Sequence, residues 1–201
     1  RLFSFNSPLG ACPACNGLGV RPYFDPALLI PDVRKHLAAG AVAGLDRKTA
    51  ARLQEIFVAL GRHYGFPVDV PFADLDTRAR GFVLDGTEGE ELVVEYRKGP
   101  KPYTFRLAWG GLVAFFEERY RSTESPWRRE ELEQLRSARP CEACGGARLR
   151  KESLAVTVGA KTLPALCALS VGEARRFFDT LELGPQEAEI ARLVLKEVRE
   201  R

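Results

Sequence analysis

Two Cys-x-x-Cys pairs constrain the fold of this chain more than any other feature of its sequence. The first pair is Cys12 and Cys15, the second is Cys141 and Cys144, and glycine follows each pair within two residues. Two intervening residues let both thiolates reach one Zn²⁺ at ~2.3 Å. Glycine next to such a pair permits the positive φ that this turn often needs. The pairs therefore predict structural zinc ligands.

A structural zinc site takes four ligands, and two arrangements of the pairs satisfy that requirement. One is a single four-cysteine site closed across residues 16–140. In the other, each pair is half of a separate site that residues outside the chain complete. The spacing alone leaves both arrangements open. The fifth cysteine, Cys167, lies between apolar neighbours and is predicted to be a small buried hydrophobe. The odd cysteine count argues against a secreted disulfide framework.

The apolar periodicity predicts a predominantly helical α+β fold with one β-hairpin. Strand-forming residues at 91–96 and 103–109 flank RKGPKP, which indicates a hairpin with a basic tip. Asp46 is a good N-cap for a helix that ends near Gly65, and Ser170 with Glu173 forms a capping box. A short strand is predicted over 154–158. Further helices are predicted over 31–39, 75–84, 111–121, 127–138 and 171–182, and from Pro185 onward.

The sequence contains no catalytic or nucleotide-binding motif. Gly159-Ala-Lys-Thr lacks the glycine that a phosphate-binding loop requires directly before its lysine. No apolar run approaches the ~20 residues that cross a membrane, so no membrane partner is predicted. The chain begins at Arg1 and contains no Met, which predicts a piece of a longer protein, and the missing motifs predict that this piece is non-catalytic.

Basic side chains cluster in three places and are candidates for contact with DNA phosphates. The hairpin tip holds the first set, Arg97, Lys98 and Lys101. A second set interleaves with aromatic residues that can stack on exposed bases, and it comprises Arg119, Tyr120, Arg121, Trp127, Arg128 and Arg129. The third set follows the second cysteine pair, and it comprises Arg148, Arg150 and Lys151. An ordinary solvated surface is the alternative for each set.

Four segments of the chain resemble the UvrA family, the damage-sensing ATPase subunits of bacterial UvrABC excinucleases. They are RLFSFNSPLGACPACNGLGV, ERYRSTES, RPCEACGGARLRKESLAV and LSVGEARRFF. The resemblance runs from the first residue to the last and is looser over 21–138. It implies three parts: the second half of a zinc finger over 1–20, an insertion domain over 21–138, and a zinc knuckle with the start of a helical ABC signature domain over 139–201.

The same resemblance implies partners and cofactors. It implies a role in nucleotide excision repair, with damaged double-stranded DNA, UvrB and a second UvrA copy as partners, in the cytoplasm. ATP and Mg²⁺ would bind only to parts of the longer protein outside this chain, which itself holds structural zinc. Within this family, each cysteine pair would complete a separate site with ligands outside the chain.

A zinc-stapled protein-docking module is the alternative function. Residues 12–19 match the C-x-x-C-x-G-x-G repeat of DnaJ-like chaperones, although that family needs four such repeats close together. Docking of UvrB is the other form of this alternative.

Overall fold

The chain forms two compact units, which we call the cysteine unit and the central unit. The structure is a computed structural model that describes residues 1–97 and 102–200. The cysteine unit comprises Arg1–Arg21 and the chain from Arg139 onward, and the central unit comprises Pro22–Ala138. Helices predominate and the sheets are small, so the predicted helix-rich α+β class is confirmed.

Helices alternate with short, paired strands along the chain. Up to the second cysteine pair the elements are β1 (Val20–Phe24), α1 (Pro26–Leu29), α2 (Arg47–Tyr64), α3 (Thr77–Leu84), β2 (Glu91–Arg97), β3 (Pro102–Ala108), α4 (Gly111–Ser122), α5 (Pro126–Glu133) and β4 (Arg136–Pro140). The rest are α6 (Lys151–Leu154), β5 (Thr157–Val158), β6 (Lys161–Thr162), α7 (Leu163–Cys167), α8 (Val171–Asp179) and α9 (Pro185–Glu200). The strands pair as β1 with β4, β2 with β3, and β5 with β6.

The core of the central unit lies between α2, α4 and one face of the β2–β3 hairpin. Leu92 and Val94 are two positions apart on β2, so both face this core, and both are fully buried. Phe57 of α2 and Phe116 of α4 are the largest buried side chains of their helices. The apolar residues of α2 recur at helical spacing, so they share one face of the helix and are buried together; they are Leu53, Ile56, Phe57 and Leu60.

Asp46 begins α2 and also ties it to α4 and α5. Its carboxylate accepts the backbone N–H groups of Lys48 and Thr49 at 3.1 and 3.0 Å, as an N-cap does. Arg119 of α4 lies 3.5 Å from the same carboxylate, and Arg128 of α5 lies 3.8 Å away. The hydrogen bonds from Thr49, then the charge of Arg119, lower the pKa of Asp46 from 3.8 to about 2.

Two predicted helices are shorter or differently placed than the sequence indicated. Over 31–39 the structure has no α-helix; α1 ends at Leu29, and Leu37–Ala39 is a single 3₁₀ turn. Pro31 ends α1, because it disfavours the α conformation of Ile30. Beyond it, the carbonyls of Val33 and Lys35 accept from the N–H groups of Ala73 and Phe72 at 2.9 and 3.0 Å instead of from a following helical turn. The helix expected over 127–138 ends at Glu133, because Arg136–Pro140 pairs with β1 instead of continuing the helix.

The cysteine unit also differs from the prediction in two details. The strand expected over 154–158 is only Thr157–Val158, preceded by α6. Cys167 is exposed, so its prediction as a buried hydrophobe is wrong. The capping box of Ser170 and Glu173 is confirmed at the start of α8. Within the described part of the chain, no helix is long and apolar enough to cross a membrane.

Replacing Asp46 with alanine removes the N-cap of α2 and the shared partner of Arg119 and Arg128. We expect a loss of about 1–2 kcal/mol in the free energy of unfolding at pH 7, measured by urea denaturation. The lowered pKa means that the charge of Asp46 stabilises the fold above about pH 4 and that this contribution disappears as the pH falls toward 2.

Asp46→Asn is the matched control, because an amide still caps the helix but carries no charge. It should recover most of the lost stability at pH 7. A D46A variant as stable as wild type at pH 7 would show that the cap and its two arginine contacts do not stabilise the central unit.

Candidate metal centre and basic surfaces

The four cysteines of the two pairs meet in one cluster in the cysteine unit. All four are reduced, and each is at most 7% exposed. Their Sγ atoms all lie within 4.8 Å of one another, and the Sγ atoms of Cys15 and Cys144 are 3.9 Å apart. Each pair sits in its own turn, and the two turns, which we call the first and second knuckle, face each other.

A reciprocal set of backbone hydrogen bonds joins the two knuckles. The N–H of Cys12 donates to the carbonyl of Arg148 at 2.9 Å, and the N–H of Cys141 donates to the carbonyl of Gly19 at 2.9 Å. Gly19 and Arg148 each lie four residues after the second cysteine of their own knuckle. The first cysteine of each knuckle is therefore bound to the turn that follows the other knuckle.

The same two residues also donate to sulfur. The N–H of Gly19 lies 3.2 Å from the Sγ of Cys15, and the N–H of Arg148 bonds the Sγ of Cys144. Both residues have positive φ, 79° and 69°. A Cβ at Gly19 would come within 2.8 Å of the carbonyl oxygen of Gly146, so only glycine fits the first knuckle here. These N–H groups help to neutralise the charge that thiolates would bring to a buried site.

The donor set fits a tetrahedral metal ion. Metal–sulfur bonds of ~2.3 Å in a tetrahedron place the sulfurs about 3.8 Å apart, close to the 3.9 Å between Cys15 and Cys144. Burial raises the pKa of the Cys144 thiol from 9.0 to about 11, and the N–H of Arg148 acts in the opposite direction. A bound cation would favour the thiolate over the thiol. The four cysteines can therefore hold one metal ion.

The cluster corrects the expectation that each pair completes a separate site. The resemblance implied ligands outside the chain, whereas the structure brings both pairs to one point. The physical reason is the reciprocal bonding of the knuckles, which the pairing of β1 with β4 supports by aligning the segments next to Gly19 and Cys141. The single-site arrangement, which the spacing had left open, is the one that the structure favours.

Most of the hairpin-tip set falls outside the described residues. Lys98 and Lys101 are the two members that are not described. For Arg97 the structure describes the backbone, which ends β2, but not the side chain. The register pairs Arg97 with Pro102. The predicted hairpin itself is confirmed, and its two strands match their predicted ranges within one residue at each end.

Some members of the second basic set bind other side chains of the unit, and others are exposed to solvent. Arg119 donates to the Oγ1 of Thr49 at 3.0 Å and contacts Asp46, and Arg128 bridges Asp46 and Glu131. Arg121 is 72% exposed and pairs with Glu118 on its own helix at 3.2 Å.

Arg129 and the two aromatic residues complete this set. Arg129 donates to the carbonyl of Thr123 at 2.8 Å and lies over the ring of Tyr120. The guanidinium of Arg136 lies 4.4 Å from the ring centroid of Tyr120, so two arginines, Arg129 and Arg136, contact that ring. Trp127 is 65% exposed.

The sequence had not assigned Gly19 and Arg148 to the metal centre. Arg148 belonged to the third basic set, but its guanidinium donates to the carbonyl of Gly17 at 2.9 Å and lies 3.7 Å from the ring centroid of Phe5. The available signal was their equal spacing, four residues beyond each cysteine pair. At that spacing the backbone N–H group donates a hydrogen bond to the Sγ of the second cysteine of the pair.

Comparison with known proteins identifies relatives along the whole chain. A family model of the UvrA DNA-binding domain matches residues 25–134. UvrABC system protein A from Brucella suis biovar 1 (strain 1330) is 39% identical over 203 residues, which is 100% of this chain and 21% of that protein. The corresponding protein from Bradyrhizobium diazoefficiens is 40% identical over 203 residues, 100% of this chain and 20% of that protein. The chain thus spans about a fifth of the length of these relatives.

The fold also resembles a solved structure. The crystal structure of UvrA2 from Deinococcus radiodurans aligns with a TM-score of 0.61 at 23% sequence identity. The alignment covers 99% of this chain and 26% of that one.

A single shared site predicts that Cys12→Ser and Cys141→Ser have the same effect. Each variant should lose the bound metal, about one ion per chain in the wild type, because either change removes one of four ligands. The double variant should lose nothing more. Metal content by mass spectrometry and the thermal midpoint by calorimetry measure both effects.

Cys167→Ser is the matched control, since Cys167 is exposed and lies outside the cluster. It should retain the full metal content. Two ions per wild-type chain, or a double variant that loses twice as much metal as each single variant, would contradict the single site.

Proposed function

The chain belongs to the UvrA DNA-binding domain family, and from this premise we propose that it binds duplex DNA and takes part in sensing damage for nucleotide excision repair. The observation that carries the proposal is the family match over residues 25–134, which lie entirely within the central unit. The chain itself performs no chemistry in this proposal. Its proposed role is to bind DNA.

The proposed division of labour follows the units of the fold. Residues 21–138 act as the insertion domain that contacts DNA, 1–20 end a zinc-binding segment, and 139–201 begin the helical signature domain. Zinc is the proposed metal of the four-cysteine cluster, because four buried thiolates in a tetrahedral arrangement are the donors it prefers in structural sites. Its proposed role is to hold the two knuckles together.

The larger protein supplies the remaining functions in this proposal. It is an ABC-type ATPase that uses ATP and Mg²⁺, forms a dimer, and hands damaged DNA to UvrB in the cytoplasm. The names of the relatives support this assignment, since each is the A protein of a UvrABC system.

The contacts in the central unit refine which basic residues can reach DNA. Arg119 and Arg128 are occupied by Asp46, so we assign them to stabilising the fold. Arg121 keeps most of its surface in solvent and remains a candidate for phosphate contact. The hairpin-tip residues Arg97, Lys98 and Lys101 remain the principal candidates, because four basic residues and one acidic residue occur between positions 95 and 106.

Replacing Arg97, Lys98 and Lys101 together by glutamine tests the hairpin assignment. We expect weaker binding to duplex DNA and a slope of log K against log salt that is shallower by about 0.9 for each lost phosphate contact. Fluorescence anisotropy with a labelled duplex at several salt concentrations measures both quantities.

A charge-matched control removes three basic residues elsewhere in the same unit, Arg34, Lys35 and Lys48. It lowers the net charge equally and should change the slope much less. Equal effects of the two triple variants would show that only total charge matters. Unchanged DNA binding by the hairpin variant would reject the hairpin assignment. A wild-type chain that captures UvrB but binds no DNA would favour the docking-module alternative.

A further inference from the structure

A groove lined by aromatic side chains runs beside the hairpin of the central unit. One cleft of about 390 Å³ is lined by Arg52 of α2 and by the side chains of Tyr96, Tyr103 and Phe105. A second cleft of about 370 Å³, which Arg52 also lines, continues over Leu107, Trp109 and Phe115. We call the first cleft the hairpin groove. Its volume lies within the range of about 300–1,000 Å³ that small-ligand sites occupy.

The strand register explains why the aromatic residues share this face. Tyr96 lies directly opposite Tyr103, and Phe105 is two residues further along β3, so all three project from one side of the hairpin. The ring centroid of Tyr103 is 5.5 Å from that of Tyr96 and 6.1 Å from that of Phe105. The same side carries Leu92 and Val94, which are fully buried.

The groove is thus a continuation of the core-facing side of the hairpin, and the described residues of the central unit leave it open. Tyr103 is 52% exposed, whereas the residues nearer the base of the hairpin are covered. A cross-strand aromatic pair alone would stabilise the hairpin without a cleft in front of it. The exposed ring of Tyr103 and the cleft in front of it together indicate a surface that can bind a flat apolar group.

Arg52 supplies the cation of the groove. It is exposed, and no acidic side chain in the described part of the chain lies within ion-pair distance of it. Two other arginines near the hairpin are occupied: Arg62 pairs with Glu95 at 3.0 Å, and Arg106 on the opposite face pairs with Glu91 at 3.6 Å. Arg52 is therefore available to an anionic group of a ligand bound between α2 and the rings.

We propose that the hairpin groove binds an unstacked nucleobase, with Tyr103 stacking on the base and Arg52 contacting the adjacent phosphate. This inference rests on the proposed function and names what the DNA-binding surface reads. Aromatic rings with a neighbouring cation form the usual platform for single-stranded nucleic acid. A base leaves the duplex at least cost where pairing is already disturbed. The groove would therefore favour distorted DNA over intact duplex without reading its sequence.

The test uses the full chain and two DNA duplexes that differ only at their centre. In one, 2-aminopurine lies in an unpaired bubble; in the other, it is fully paired. Wild type should bind the bubble more tightly and quench its 2-aminopurine emission, because stacking on a ring quenches that fluorophore. Tyr103→Leu should weaken bubble binding roughly tenfold, within the range measured for stacking one base, and leave binding to the paired duplex unchanged.

Conservative and charge-matched variants isolate the groove. Tyr103→Phe keeps the ring and should retain both the preference and the quenching. Arg52→Gln should reduce bubble binding more than Arg106→Gln, which removes the same charge from the opposite face of the hairpin. Thermal unfolding of each variant shows whether a change in binding follows from a change in stability.

Three results would overturn the inference. One is a wild type that binds the bubble without any change in 2-aminopurine emission. Another is a Tyr103→Leu variant that fails to lose the preference for the bubble, whether it weakens binding to both duplexes equally or to neither. In both cases DNA binding stands and the base-stacking role fails. A wild type that binds neither duplex would reject the proposed function and this inference with it.

Discussion

The reciprocal hydrogen bonding of the two cysteine knuckles is the interaction on which the rest of this structure depends. Cys12 and Cys141 each donate to the turn that follows the other knuckle, and this places four thiols within one coordination sphere. The residues between the knuckles include the whole central unit, so a metal bound here closes a very long loop. Closing a long loop lowers the conformational entropy of the unfolded chain, and this stabilises the folded state relative to it.

The local structure of the chain could be predicted where short-range rules decide it. Asp46, Gly65 and the Ser170–Glu173 capping box marked helix ends through hydrogen bonds between near neighbours in sequence, and the hairpin followed from strand residues around RKGPKP. Features decided by distant contacts escaped prediction. The segment Arg136–Pro140 has a charged, helix-like context but becomes a strand, because it pairs with β1.

The candidate site shows the same division. The identity of the ligands was readable from the spacing within each pair. Their meeting in one cluster was not, because it depends on backbone bonds between Gly19 and Cys141 and between Cys12 and Arg148, more than a hundred residues apart in sequence. Charge clusters were the least informative signal. Arg119 and Arg128 look like DNA ligands in sequence, yet both contact Asp46, the N-cap of α2.

In the proposed metal centre, one zinc ion bound by all four cysteines holds the two knuckles together. X-ray absorption at the zinc edge of the native chain tests this claim most directly, since it counts ligand atoms by element and distance. A single shared ion predicts four sulfur neighbours at ~2.3 Å and no nitrogen or oxygen in the first coordination sphere. Two sulfurs accompanied by lighter ligands would contradict the claim, because each knuckle would then bind its own ion.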